Sequence, residues 1–330
     1  GVGFLDLVEN KFYGSANDKE LTASGNTSTS TVTVTYNSSA VSGYTSSVSR
    51  TGYVLDGWYT ADNVKVLTSD GKLVANVSGF TNASSQWIST SGVTLYAKWT
   101  PNTYTVNFNS NSGSGTMASQ TFTYGEAQGL TKNAFTKTGY TFNGWATTAN
   151  GDVLYLDEEY VRNITTNASI TLFAKWSSET YTITLDSKFY SSSSATGVAV
   201  DNAGTTSISE VYEVDWLVGG VSSSSITRPT YKGYTFEGYY TGKTGTGTQI
   251  INNLGEIVAP TTQFTSNTTI YAKWTANPHT ITYNKNDGTN TTATQSVTYN
   301  STFTTRAVPA SGDTLYREGY TFKGWSTNKD

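Results

Sequence analysis

The chain has 330 residues, a net charge of −4, only 13% charged residues and no basic run, so neither nucleic acid nor an anionic membrane has an electrostatic handle on it. It contains no cysteine, so it has no disulfide framework, and no apolar run approaches the roughly 18 residues of a membrane helix. Thirty-one glycines, few prolines and 13% aromatics, wetted by Ser, Thr and Asn rather than by ions, suit turn-rich β structure and lean towards an extracellular protein. Such a length fits about two to four domains. Gly1 starts no signal peptide and no initiator Met is present, which leads us to expect a processed or excised piece.

Read in order, the chain repeats itself. Unit one, residues 1–100, opens in a degenerate stretch where "ENKFYG" (residues 9–14) echoes "DSKFYS" (residues 186–191). Val32, Val34 and Tyr36 then alternate with polar residues, the period of a half-buried strand. "GYVLDGWYT" starts at Gly52, and "LYAKW" closes the unit at Trp99. Unit two, residues 101–177, opens with alternating Tyr104, Val106 and Phe108, continues through Phe122 and Tyr124, and reaches "GYTFNGWAT" at Gly139. Residues 157–163 ("DEEYVRN") suit a short helical turn before "LFAKW" ends at Trp176. Unit three, residues 178–276, runs from "YTITLD" through "GYTFEGYYT" at Gly233 to "IYAKW" at Trp274. Unit four, residues 277–330, has "HTITYN" from His279 and "GYTFKGWST" from Gly319, but no closing phrase. Three phrases in fixed order at intervals of roughly 90 residues mark a tandem array. Its short linkers predict a semi-rigid elongated rod with small contacts between units.

The central phrase poses a parity question. In an unbroken strand Tyr140 and Phe142 share one face and Trp145 points to the other. A bulge at Gly144 adds a residue and returns Trp145 to the core, and Gly suits the positive φ of such a bulge. The phrase therefore reads as a device that places three aromatics in one small core. The structural set is Tyr53 and Trp58 in unit one, Tyr140, Phe142, Gly144 and Trp145 in unit two, Tyr234, Phe236 and Tyr239 in unit three, and Tyr320, Phe322 and Trp325 in unit four. The closing residues Trp99, Trp176 and Trp274 complete it. The competing reading is an exposed aromatic platform for sugars or peptides. Core is favoured, because units of this size without disulfide or metal are marginal and need buried aromatics.

The order Gly-Tyr-Thr-Phe-x-Gly-Trp followed by Leu-Tyr-Ala-Lys-Trp resembles the Listeria–Bacteroides repeat, the B repeat of internalin-type bacterial surface proteins. The pattern is complete in unit two. Unit one has Val54 and Leu55 where Thr and Phe are usual, and unit three has Tyr239 for the Trp. The resemblance implies small β-grasp, ubiquitin-like domains strung along secreted or surface-attached proteins as spacers, adhesive modules or both. It says little about a ligand. In such a fold the final strand lies beside the first. Unit four would then leave Ile281 and Tyr283 facing a gap. We expect either that the parent chain continues or that a neighbouring protomer donates a strand, such as its segment near Phe4.

Catalytic chemistry has no foothold. The lone His279 occupies the position of Tyr104 and Tyr181 and reads as a strand residue; a metal is not implied. Asp157, Glu158 and Glu159 read as solvated surface rather than acid–base carboxylates, and residues 284–288 ("NKNDG") as a turn rather than a calcium loop. The recurring Lys98, Lys175 and Lys273 suit methylenes laid over apolar surface better than isopeptide crosslinks. Sequons such as those at Asn37, Asn163 and Asn267 are about as common as this composition gives by chance. The sequence therefore predicts a non-enzymatic, cofactor-free bacterial surface protein acting as stalk or spacer and in adhesion. Its partners would be copies of itself, or a host or cell-surface protein or glycan. A filament subunit built by strand exchange and a carbohydrate-binding array beside a secreted enzyme are the alternatives.

Overall fold

The computed structural model describes residues 2–8, 30–44 and 48–329. They fall into two compact units, Gly1–Ser177 and Ser178–Asp330. Apart from one 3-10 turn at Lys243–Gly245, the regular structure among the described residues is all strand, so the protein is mainly β. The echo at residues 9–14 lies outside the described residues.

The same four strands recur in repeats one to three. The opening strands are Val2–Val8, Thr103–Asn109 and Thr180–Asp186, and each is followed by a second strand, Ser30–Thr35, Gln120–Thr123 or Ser207–Val211. The signature strands are Tyr53–Tyr59, Tyr140–Ala146 and Tyr234–Tyr240, and the closing strands are Val93–Pro101, Ser169–Ser178 and Thr268–Ala276. In all three sheets the order is second, opening, closing, signature. The opening strand pairs antiparallel with the second and parallel with the closing strand, as in Ile183 opposite Thr268. Alternation puts one face inside: Tyr181, Ile183 and Leu185 are buried between exposed threonines. Each repeat has its own core, centred on Trp58, Trp87 and Leu95 in the first, on Phe122, Trp145 and Leu172 in the second, and on Ile183, Tyr239 and Ile270 in the third.

Three expectations need correcting. The segment around Phe4 is not available as a donor strand, because Val2–Val8 is paired on both edges within its own sheet. Residues 157–163 do not form a helical turn. Glu158 and Asn163 have φ of 59° and 54°, which a helix does not accommodate, and Tyr160–Val161 pairs instead with Gln128–Gly129. In repeat four the sheet is a two-stranded pair, Pro278–Asn284 with Thr292–Thr298. Tyr283 nevertheless does not face a gap. The Trp325 ring covers it at 4.6 Å, and its hydroxyl donates to Gln295 at 2.6 Å while accepting from the Arg306 N–H.

Candidate functional site

The signature strand meets the closing strand through a bulge. In repeat one Leu55 lies opposite Trp99 and Gly57 opposite Lys98, which leaves Asp56 as the extra residue; in repeat three Glu237 is extra in the same way. Gly57, Gly144 and Gly238 take φ of 157°, 138° and 120°. A Cβ on Gly144 would also come 2.6 Å from the Tyr155 carbonyl oxygen. Glycine is therefore required twice, for its conformation and for the close approach of the neighbouring backbone.

Past the bulge, Trp58, Trp145 and Tyr239 point inward and are at most 1% exposed. Trp58 and Tyr239 sit directly opposite Ala97 and Ala272 of the closing strand, so the small residue in "YAKW" makes room for the large one. In repeat two the Phe142 ring lies 4.9 Å from Trp145 and 5.7 Å from Trp176; Phe236 spaces Tyr239 and Trp274 similarly at 5.3 and 5.6 Å. Two of the closing indoles are pinned by one bond each. Trp176 Nε1 donates to the Ser110 carbonyl and Trp274 Nε1 to that of Ser187, both at 2.9 Å. Trp99 is half-buried against the first core. In repeat four Trp325 Nε1 donates to the Arg306 carbonyl, and Phe322 lies 4.8 Å from its ring.

The first aromatic of the phrase departs from the three-in-one-core expectation. Tyr53 packs against the core of repeat two rather than its own. Its ring meets Tyr124 edge-on at 5.6 Å, and Tyr234 meets Tyr299 alike at 5.6 Å. The strand begins at the rim of its repeat, so its first side chain overhangs the end. Tyr140 is half-buried beneath the Lys137 ammonium, and Tyr320 is exposed.

The polar candidates do not converge. His279 is exposed, its ring 6.5 Å from that of Tyr299. Asp157 accepts the Asn133 N–H at 2.8 Å and Glu159 the Leu156 N–H at 3.0 Å, so these carboxylates tie loops together. Asp287 accepts from the Thr289 hydroxyl and N–H and pairs with Lys285 at 3.2 Å. These bonds, the hydroxyl's first, hold its carboxyl down at about 2. Among the described residues no group of three or more metal-ligating side chains gathers. Lys98 donates to the Asn63 side-chain oxygen at 3.0 Å on an exposed surface, Lys175 reaches the Ala149 carbonyl at 3.3 Å, and Lys273 stands over the Tyr240 ring. No common crosslinking geometry recurs among these three lysines.

Two features escaped the sequence. Glu210 is buried on the second strand of repeat three, where both oxygens face the Phe264 N–H at 3.0–3.1 Å. Burial raises its carboxyl pKa, and the Phe264 bond partly opposes that. Glu210 falls on the inward face of its strand, and nothing in the sequence marks its partner. The second feature is the reach of Tyr124 and Tyr299 into the preceding repeat, signalled only by a recurring Tyr-Gly or Tyr-Asn after the second strand.

Three sheets of one order, each carrying one aromatic phrase, define a tandem β-repeat protein. The chain belongs to the Listeria-Bacteroides repeat domain family, whose model matches it four times, at residues 22–98, 104–175, 201–273 and 279–330. It is 27% identical over 281 residues to an Evansella cellulosilytica protein named as a Gly-rich membrane protein, covering 84% of this chain and 28% of that one. A second protein of that organism, named as a membrane protein, is 31% identical over 247 residues, 73% of this chain and 31% of its own. Internalin H of Listeria monocytogenes is 38% identical over 99 residues, 30% of this chain and 15% of its own. The chain thus spans less than a third of the length of these relatives. Among the described residues no helix is long and apolar enough to cross a membrane.

Proposed function

We propose that the chain is a non-enzymatic stalk or spacer on the outside of a bacterial cell, built from β-grasp-type repeats. The observation that carries this reading is where the repeated residues go: Trp58, Trp145 and Tyr239 are buried in the cores, and the closing Trp99, Trp176 and Trp274 pack against those cores. The parallel pairing of opening and closing strands in three sheets supports the β-grasp assignment. The names of the relatives support a surface location. The test is to delete repeat two from the full-length parent on cells and measure, by force microscopy, the height at which an outer tag is captured. The spacer reading expects reach to fall with each repeat removed. Unchanged reach with lost attachment would replace it with adhesion.

Adhesion to glycans is the second reading, favoured by an open groove of about 810 Å³ in repeat three. Tyr231, Tyr234 and Trp274 line it beside Asp201, Arg228 and Asn253. Binding on a glycan array that disappears with Tyr231→Ala would support it. Filament growth by strand exchange has less support, since Val2–Val8 is already paired.

A further inference from the structure

Two places in the chain, far apart in sequence, carry the same construction where one repeat meets the next. In the first, Gly52 has φ +79° and any Cβ there would overlap the Tyr124 ring. In the second, Gly233 has φ +83° and a Cβ would overlap the Tyr299 ring. The next residue, Tyr53 or Tyr234, meets that same ring edge-on, at 84° or 80°. The linker ties both sides down. The Asn102 N–H donates to the Gly52 carbonyl and its carbonyl accepts the Tyr124 N–H, both at 2.8 Å. Asn277 does the same between Gly233 and Tyr299, both bonds at 2.9 Å. Three residues before each signature tyrosine, another side chain backs its ring. Arg50 lies over Tyr53 at 4.0 Å, and Tyr231 stacks on Tyr234 at 4.6 Å. The two joints differ in depth: Tyr124 is 2% exposed and Tyr299 37%.

We propose that Gly52-Tyr53 and Gly233-Tyr234 are docking sockets whose partners are the tyrosine turns at Tyr124 and Tyr299 of the following repeats, and that these contacts fix the angle between repeats one and two and between repeats three and four. The inference goes beyond the spacer reading and does not depend on it. A flexible linker alone would leave neighbours free to swivel. Here a ring seated on a side-chain-free glycine, with the linker bonded to socket and plug together, removes that freedom. It also explains the glycine that opens the phrase. Gly52 and Gly233 both have positive φ, but Asn would tolerate that conformation. Only a seated ring forbids a Cβ.

Gly319 supplies the control. Its φ is +78°, Arg317 lies over Tyr320 at 3.8 Å as Arg50 does over Tyr53, yet a Cβ there would meet nothing within 4 Å. Gly52→Asn and Gly319→Asn therefore impose the same backbone demand, and only the first collides with a tyrosine. The chain has no native cysteine, so spin labels at Asp62→Cys in repeat one and Lys132→Cys in repeat two, both exposed, report their separation cleanly. The expected result is a narrow distance distribution in the parent and in Gly319→Asn, at least doubled in width by Gly52→Asn. Tyr53→Ser, which keeps the glycine, should broaden it as well, covering the case in which Gly52→Asn disturbs the fold. A width unchanged in both Gly52→Asn and Tyr53→Ser, or broadened equally by Gly319→Asn, would overturn the proposal.

Discussion

Glu210 is a buried carboxyl whose oxygens accept the Phe264 backbone N–H. Burial is the larger influence and raises its pKa above the ordinary 4.5. A carboxyl whose folded pKa lies above its unfolded value adds stability below the unfolded pKa and loses it as pH rises through the folded one. Repeat three should therefore be more stable near pH 5 than at pH 7.5, and Glu210→Gln should flatten that slope. Denaturant unfolding followed through the amide resonances of repeat three measures both; a slope that survives the substitution assigns the effect to another group. Gly144 is the opposite kind of residue, uncharged and irreplaceable. Gly144→Ala forces a side chain into positive φ, at roughly 1–2 kcal/mol, and against the Tyr155 carbonyl as well. Gly79→Ala, at φ +82° with nothing within 4 Å, meets only the first cost. Equal losses of stability in the two variants would remove close approach as the reason for the bulge glycine.

At the scale of elements, much of the fold was legible. Period-two alternation marked the opening and second strands, and the parity break in the signature phrase announced the bulge, which the register shows at Gly57 and Gly238. What alternation cannot report is which repeat a rim residue serves. Tyr53 and Phe142 belong to one phrase, yet Tyr53 serves the neighbouring core. Nor did it show that residues 157–163 turn through left-handed Glu158 and Asn163 instead of coiling. Within the 330-residue chain taken by itself, repeats three and four compare a strand paired along two edges with one paired along a single edge among the described residues. Thr180–Asp186 is bonded along both edges, while Pro278–Asn284 pairs along one, with Thr292–Thr298. An unpaired edge exchanges its amides through local opening rather than global unfolding. Hydrogen exchange should therefore be at least tenfold faster at Thr280 and Thr282 than at their counterparts Thr182 and Thr184. Equal protection would mean that another group satisfies that edge.

At the scale of the molecule, the question is how far damage in one repeat spreads. Trp176, half-buried against the second core, pins repeat two through Phe142 and the Ser110 carbonyl, and its removal costs up to the roughly 3–5 kcal/mol of a fully buried aromatic. A folded repeat of roughly 75 residues has about 4–11 kcal/mol in total, so Trp176→Ala should leave repeat two unfolded or loosened at 37 °C. The sequence, with its short linkers and separate cores, suggested that the damage stops there. The joint changes that expectation on one side. Once repeat two unfolds, Tyr124 leaves Gly52 and Tyr53, and repeat one loses an aromatic pair worth about 1 kcal/mol together with its linker bonds. A shift of about 1 kcal/mol moves the Tm of a domain this size by roughly 4–8 °C. Calorimetry of Trp176→Ala should thus show one transition missing, that of repeat one lowered by about 5–10 °C, and the heat absorbed by Ser178–Asp330, a compact unit of its own, essentially retained. An unmoved repeat-one transition would reduce the joint to a contact without energetic weight, and simultaneous loss of all transitions would make the array a single cooperative body.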